Sequence, residues 1–237
     1  MNDIPEILAW IRRELKAHVD PVYRAGLLAY FREPIDPYGV RTPTVKRIAA
    51  AVYKAVKPWP AARRNKLCEE LWKSGKSEEG GISIYVCRRF RKQCAAPEFK
   101  LFERWVDRYV RNWAHCDGVS SWLLSGCIEN DPSLIPRLAP WVLSRNRWKR
   151  RAAAVSLLQE AKQGRNLDAI FQIAGALLED PDDMVQKGVG WLLKETYPKR
   201  PREVVRFLEP RKQGTPRLLL RYAAEKMTPA DRARVLG

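Results

Sequence analysis

Histidine is almost missing from this chain. Among 237 residues there are two, His18 and His115. A structural zinc site takes four protein ligands, so the short run HCD at 115–117 cannot supply one on its own. No metal and no other cofactor is therefore expected. The five cysteines (Cys68, Cys87, Cys94, Cys116 and Cys127) are odd in number and contain no Cys-x-x-Cys pair. That excludes a paired disulfide framework and a dithiol redox motif, and leaves small reduced core residues. No apolar run reaches the length of a membrane span. The N-terminal stretch MNDIPEILAW lacks the basic-then-apolar pattern of a secretion signal. A cytoplasmic protein with no membrane partner is the expectation, placed at the bacterial nucleoid in use. Alternating strand patterns are scarce as well.

What the chain has in excess is positive charge. Its 44 Lys and Arg against 27 Asp and Glu give a formal net charge of +17 and a pI near 9.9. Solubility alone rarely requires so much charge of one sign. The excess points to a polyanion, either nucleic acid or an acidic membrane surface. The basic residues are spread along the whole chain, so the field belongs to a folded surface rather than to a tail. Hydrophobic residues make up 46%, ample for a core and unlike a disordered chain.

The dominant period is helical. In LIPRLAPWVLSR (134–145) and LDAIFQIAGALLED (167–180), apolar residues recur three and four apart. Prolines and glycines fall mainly between such runs, which predicts about a dozen helices joined by short connections. The runs also repeat. LIPRLAPWVLSRNRWKRRAAAV (134–155) aligns with AIFQIAGALLEDPDDMVQKGVGW (169–191) at an offset of 36 residues, setting Arg151 against Lys187. Each block is an apolar helix, a polar turn, then a helix with a basic residue ahead of small and apolar ones. FKLFERWVDRYVRNWAHCDGVSSWLL (99–124) is a third copy, with Asp117 at the position of Arg151. FLEPRKQGTPRLLLRYAAEKM (207–227) is a looser fourth. Helix pairs of this length predict an all-α protein: an α-solenoid of HEAT-like helical repeats, one domain over residues 1–237, with a concave basic DNA-binding face. An ordinary helical bundle is the simpler alternative, but it does not require the basic position to return in each unit.

Stacked repeats set equivalent positions side by side. Trp113 and Asp117 are four apart and share a helix face. Arg151 falls at the equivalent place one repeat on, then Lys187, with Trp191 four further. One groove is thus expected to hold Trp113, Asp117, Arg151 and Trp191. Each has a plainer reading: core tryptophans, a phosphate-binding arginine, a helix cap. RWKRR (147–151) is basic enough for several phosphate contacts through Arg147, Lys149 and Arg150. A carboxylate in a basic groove repels phosphate, so it must serve something other than phosphate binding. Aromatic faces attract cations, and an N-alkylated purine is a cation attached to DNA. Such a base departs neutral, and positive charge moves onto the deoxyribose, where a carboxylate stabilises it and orients water.

Those residues also carry a resemblance. NWAHCD (112–117), RWKRRAAAV (147–155) and VQKGVGWLLKE (185–195) resemble the AlkD-type DNA alkylation-repair glycosylases, which are HEAT-like repeat proteins. The resemblance runs over most of the chain, from LLAYFREPIDPYGVRTPTVKR to RYAAEKM. It implies Asp117 as the catalytic carboxylate, with Trp113 and Trp191 against the lesion nucleotide. It implies Arg151 at the DNA backbone and Tyr30, in LLAYFRE, approaching the DNA. All four central positions are kept, which argues for activity. Lys187 fits as a phosphate contact rather than a Schiff-base nucleophile, and Arg217 of the fourth block joins the DNA-binding set. The family is thought to act without turning the base fully out of the duplex. Gly188 and Gly190 depart from good helix formers at ~0.5–1 kcal/mol each, and imply close approach of a helix or of DNA.

The expected activity is hydrolysis of the N-glycosidic bond of cationic N3- or N7-alkylpurines. The expected partner is double-stranded DNA containing alkylated purines, and the expected state is a monomer. Two alternatives stay open at this point: a solenoid that binds DNA or RNA structure without chemistry, and a protein-interaction scaffold.

Overall fold

Several helices begin where an acidic or hydroxylated residue precedes a proline, because the side-chain oxygen meets an orphan N–H and proline needs none. Asp3 accepts from Glu6 N–H at 2.8 Å, Asp20 from Tyr23 N–H at 2.9 Å, and Thr228 from Asp231 N–H at 3.2 Å. The computed structural model describes residues 3–237, so the first two residues of MNDIPEILAW lie outside the described residues. In chain order the α-helices are α1 (Ile4–Ala17), α2 (Pro21–Tyr30), α3 (Thr42–Val56), α4 (Ala61–Lys73), α5 (Ser77–Arg88), α6 (Ala96–Arg108), α7 (Trp113–Gly118) and α8 (Ser125–Asn130). They continue as α9 (Arg147–Val155), α10 (Leu158–Gln163), α11 (Leu167–Ala176), α12 (Asp183–Thr196), α13 (Pro201–Leu208), α14 (Arg217–Ala223) and α15 (Pro229–Leu236). Among the described residues there is no strand, only an isolated bridge between Asp36 and Lys76. The all-α class expected from the periodicity is the class observed.

One expected helix winds differently. Pro132–Leu143, which contains most of LIPRLAPWVLSR, is 3-10 helix rather than α-helix. Pro136 and Pro140 lie inside it. Each removes an N–H and clashes with the carbonyl four residues back, which opposes α winding. The apolar residues still face inward, with Leu134, Ile135, Leu138 and Trp141 buried.

The chain forms two compact units: Met1–Gln93 with Arg108–Gly118, and Cys94–Asp107 with Val119–Gly237. In the first, α1 buries Ile7, Ile11 and Leu15, four residues apart on one stripe. Helix α5 is the hub, packing on α3, α4 and α7. Two carboxylates at its start, Glu78 and Glu79, are buried. Glu79 pairs with Arg12 at 3.2 Å and accepts from the Tyr38 hydroxyl at 2.9 Å. Burial first, then that hydrogen bond, pushes the Tyr38 phenol up to about 12.

In the second unit α9 packs on α12, and α12 on α14. These are the second helices of successive sequence blocks, set side by side as helical repeats require. Gly190 permits the α12–α14 approach. A Cβ there would lie 2.5 Å from the Tyr222 Cβ and 2.9 Å from the Leu219 carbonyl. Gly188 faces the Arg151 stem, with a notional Cβ 3.1 Å from its Cγ. Both glycines therefore answer to helix packing. All five cysteines are buried, and none is in a disulfide.

Candidate nucleic-acid interface

In the first unit the site is built on a short, well-anchored helix. Asn112 is buried ahead of α7 and accepts the His115 N–H at 2.9 Å, satisfying one of the helix's open donors. His115 Nε2 lies 2.9 Å from the Ser77 carbonyl at the start of α5. A carbonyl only accepts, so Nε2 carries the proton. The imidazole edge meets Trp72 with centroids 4.9 Å apart, and Gly80 leaves the space it fills. His115 and the fully buried Cys116 thus point into the protein and fix the roll of α7. Trp113 and Asp117 project from the remaining surface, both partly exposed.

Burial pushes His115 below the ordinary imidazole value, to about 4, against a weaker opposing pull from the Ser77 carbonyl. The unfolded chain therefore binds a proton below about pH 6.5 that the folded chain refuses. Stability is full above that pH and falls as pH drops toward 4, by about 3 kcal/mol from this group. Urea unfolding of the parent and of His115→Gln should show the parent's advantage shrinking by that amount between pH 7 and 4. A constant difference would remove the imidazole from this role.

Trp113 does not stand alone. Its ring stacks on Phe31, with centroids 5.5 Å apart and planes 16° from parallel. Tyr30 meets it edge-on at 6.3 Å. Tyr30 is 68% exposed. Helix α2 ends here because Phe31 is extended and Pro34 follows. The result is an open aromatic platform beside a carboxylate one turn further along α7. Phe31 does not stand out in the sequence. Its only signal there is adjacency to Tyr30 in LLAYFRE.

In the second unit, Arg151 and Lys187 lie on the adjacent helices α9 and α12. Arg151 is only 6% exposed, and its guanidinium donates to the Met184 carbonyl in the first turn of α12. Lys187 pairs with Asp183 at 3.0 Å, and Trp191 is partly exposed one turn beyond it. The RWKRR cations are engaged within the protein. Arg147 pairs with Asp182 at 3.2 Å. Lys149 sits between Glu103 at 3.1 Å and Asp107 at 2.8 Å. Arg150 holds Asp180 at 2.6 Å and donates to the Ser144 carbonyl at 2.9 Å. Its partner is buried, so Arg150 braces the turn that starts α12. Arg217 is exposed and donates to the Leu236 carbonyl. Among the described residues no cluster of His, Cys, Asp and Glu could hold a metal ion.

Comparison with known proteins bears on the family and the fold. The model of a family described as DNA alkylation repair enzyme matches residues 11–227. No curated protein matches the chain. Among solved structures, a predicted DNA alkylation repair enzyme from Enterococcus faecalis superposes with a TM-score of 0.80 at 17% identity, covering 90% of this chain and 98% of its own. AlkD2 from Streptococcus mutans superposes at 0.63 and 17% identity, covering 92% and 98%. At that identity the likeness concerns the fold, and the family match concerns the sequence itself. With its helical-repeat fold and a family match spanning nearly its whole length, the chain belongs to the DNA alkylation repair enzyme family, and its partner is DNA.

Proposed function

We propose that this repair protein is a monofunctional DNA glycosylase that excises cationic N3- or N7-alkylpurines and leaves an abasic site. The observation that carries the reading is the pairing on one helix face of Trp113, braced by Phe31 and Tyr30, with Asp117 one turn on. A rigid indole offers its face to a cationic base or sugar. A carboxylate placed beside it favours the oxocarbenium-like sugar that forms as the neutral base departs, and holds the attacking water. No general acid is needed for a leaving group already charged. Tyr30 would meet the DNA backbone. On the second unit, Trp191 is assigned to the lesion strand, and Arg147, Lys149, Lys187 and Arg217 to phosphates. Binding there must compete with the internal ion pairs. The buried Arg151 is assigned to the backbone near the lesion, through the α12 turn that it holds.

The test is a duplex carrying one N7-methylguanine, incubated with excess protein. Release of the free base, with an alkali-labile abasic site, is the expected result. Trp113→Ala should bind DNA and release base far more slowly. If the parent binds the duplex and frees no base from it or from an N3-methyladenine duplex, the chain is a DNA-structure binder without chemistry.

A further inference from the structure

On the far side of α7 from Trp113, the first unit carries a second site. His115 stands two residues from Trp113, about 200° round the helix at 3.6 residues per turn. With Asn112 it lines a cavity of about 360 Å³, within the range of small-ligand sites. Every lining residue belongs to the first unit. One wall is aromatic. Tyr109, half-buried, lies parallel to Trp72, with planes 13° apart and centroids separated by 6.3 Å. Trp72 is buried and held in turn: the His115 ring meets it edge-on at 4.9 Å, and a Cβ on Gly80 would lie 2.8 Å from it. Tyr109 is therefore a ring on a fixed support. Four cations also line the cavity: Lys73, Lys76, Arg108 and Arg111. Carboxylates answer two of them, Glu70 for Lys73 at 2.7 Å and Asp36 for Lys76 at 2.8 Å. Arg111 instead donates to the Arg108 carbonyl at 2.6 Å and the Val110 carbonyl at 2.8 Å, which orients its guanidinium without cancelling the charge. Arg108 is exposed in the last turn of α6, where a helix C-terminus favours a cation. That accounts for Arg108 but not for Arg111, nor for the ring at 109 that comes between them in the chain.

We propose that this cavity binds one nucleotide unit outside any duplex, with its base on Tyr109 and its phosphate on Arg108 and Arg111. Stacking needs a fixed ring, and phosphate suits guanidinium, whose paired donors match its oxygens. One cavity supplies both. Groups that could read a base edge are already engaged. Asn112 Oδ1 accepts the His115 N–H, and the Ser77 carbonyl accepts from His115 Nε2. The site should therefore accept any base, with purines favoured only by their larger stacking face. Such a unit comes either free in solution or as the unpaired end of a strand. A paired, stacked base offers no face to Tyr109, so the duplex itself is not the occupant. The proposal goes beyond alkylpurine excision and holds whether or not that chemistry is found.

Titration calorimetry with AMP, adenosine and inorganic phosphate tests it. AMP should bind about tenfold more tightly than either half, or better. Arg108→Gln should lower AMP affinity about tenfold and leave adenosine unchanged, while Arg108→Lys keeps most of it. That side chain can be changed without touching the bond that the Arg108 carbonyl accepts. Tyr109→Leu should weaken AMP and adenosine alike by about tenfold, and Tyr109→Phe should weaken neither. Lys162→Gln/Arg202→Gln, which removes two exposed cations of the second unit, should change nothing. AMP is then displaced with a blunt duplex and with the same duplex carrying a short unpaired end. Displacement by the unpaired end alone assigns the site to strand ends, and displacement by neither assigns it to a free nucleotide. Equal displacement by both overturns the proposal, because the cations would then serve the duplex. Absence of AMP binding at millimolar concentration overturns it too, as does equal AMP affinity in the parent, Arg108→Gln and Tyr109→Leu.

Discussion

Replacing Asp117 with Asn is expected to slow release of a methylated purine by about a thousandfold under single-turnover conditions. The magnitude follows from charge alone. A carboxylate ~4 Å from a developing sugar cation, at an effective dielectric of ~20, is worth about 4 kcal/mol. The amide keeps the size and the hydrogen-bonding oxygen but loses the charge. Duplex binding should hold or tighten, because a group that repels phosphate has been neutralised. The unfolding midpoint of the variant, measured beside its rate, shows whether the helix has survived the change. A fall of only a fewfold in an intact variant would move Asp117 from the chemistry to the support of α7, and water attack would need another source of stabilisation.

The second large effect concerns stability. Glu78 is buried and accepts three backbone N–H groups, from Tyr38 at 2.9 Å, Gly39 at 2.8 Å and Val40 at 2.9 Å. It thereby closes the connection between α2 and α3. Gly39 adopts φ 94°, and a Cβ there would lie 2.5 Å from the Arg24 Cβ. The chain can pass this close to α2 only as glycine. Each donor left without a partner costs about 1–3 kcal/mol, so Glu78→Ala should lose about 4 kcal/mol in urea unfolding at pH 7. Against a typical total of about 5–15 kcal/mol, that is a large share. Glu78→Gln should lose less, since one oxygen can still accept from Gly39 and Val40. The same connection follows Tyr30 and Phe31, so a folded Glu78→Ala protein should also be slow wherever the aromatic platform matters. A loss under about 1 kcal/mol would mean that water replaces the carboxylate there.

The features legible in the sequence are those that depend on neighbours along the chain. Helix α1 announces itself through Asp3, Pro5 and the stripe of Ile7, Ile11 and Leu15. Setting Arg151 against Lys187 implies that α9 and α12 pack together, because a repeated block repeats its contacts. The inward turn of His115 and Cys116 follows from helix geometry once Trp113 and Asp117 are taken to face out. The 3-10 winding of Pro132–Leu143 is hidden because a spacing of three and four suits α and 3-10 helices alike. Pro136 and Pro140 are the better guide. Phe31 is hidden because an aromatic beside another aromatic has no period, and only folding shows that it stacks on Trp113.

The sequence by itself determined the helical class, the positive field and the family, since each follows from composition, local period or motif. Only the tertiary structure decided which charges are spoken for. Arg150 meets Asp180, and Lys149 meets Asp107, across 30 and 42 residues of chain. Lys73 and Arg108 line one cavity although the whole of α5 separates them in the chain. An ion pair forms or fails over a few ångströms, and nothing in a run of basic residues records which carboxylate the fold will bring within that reach.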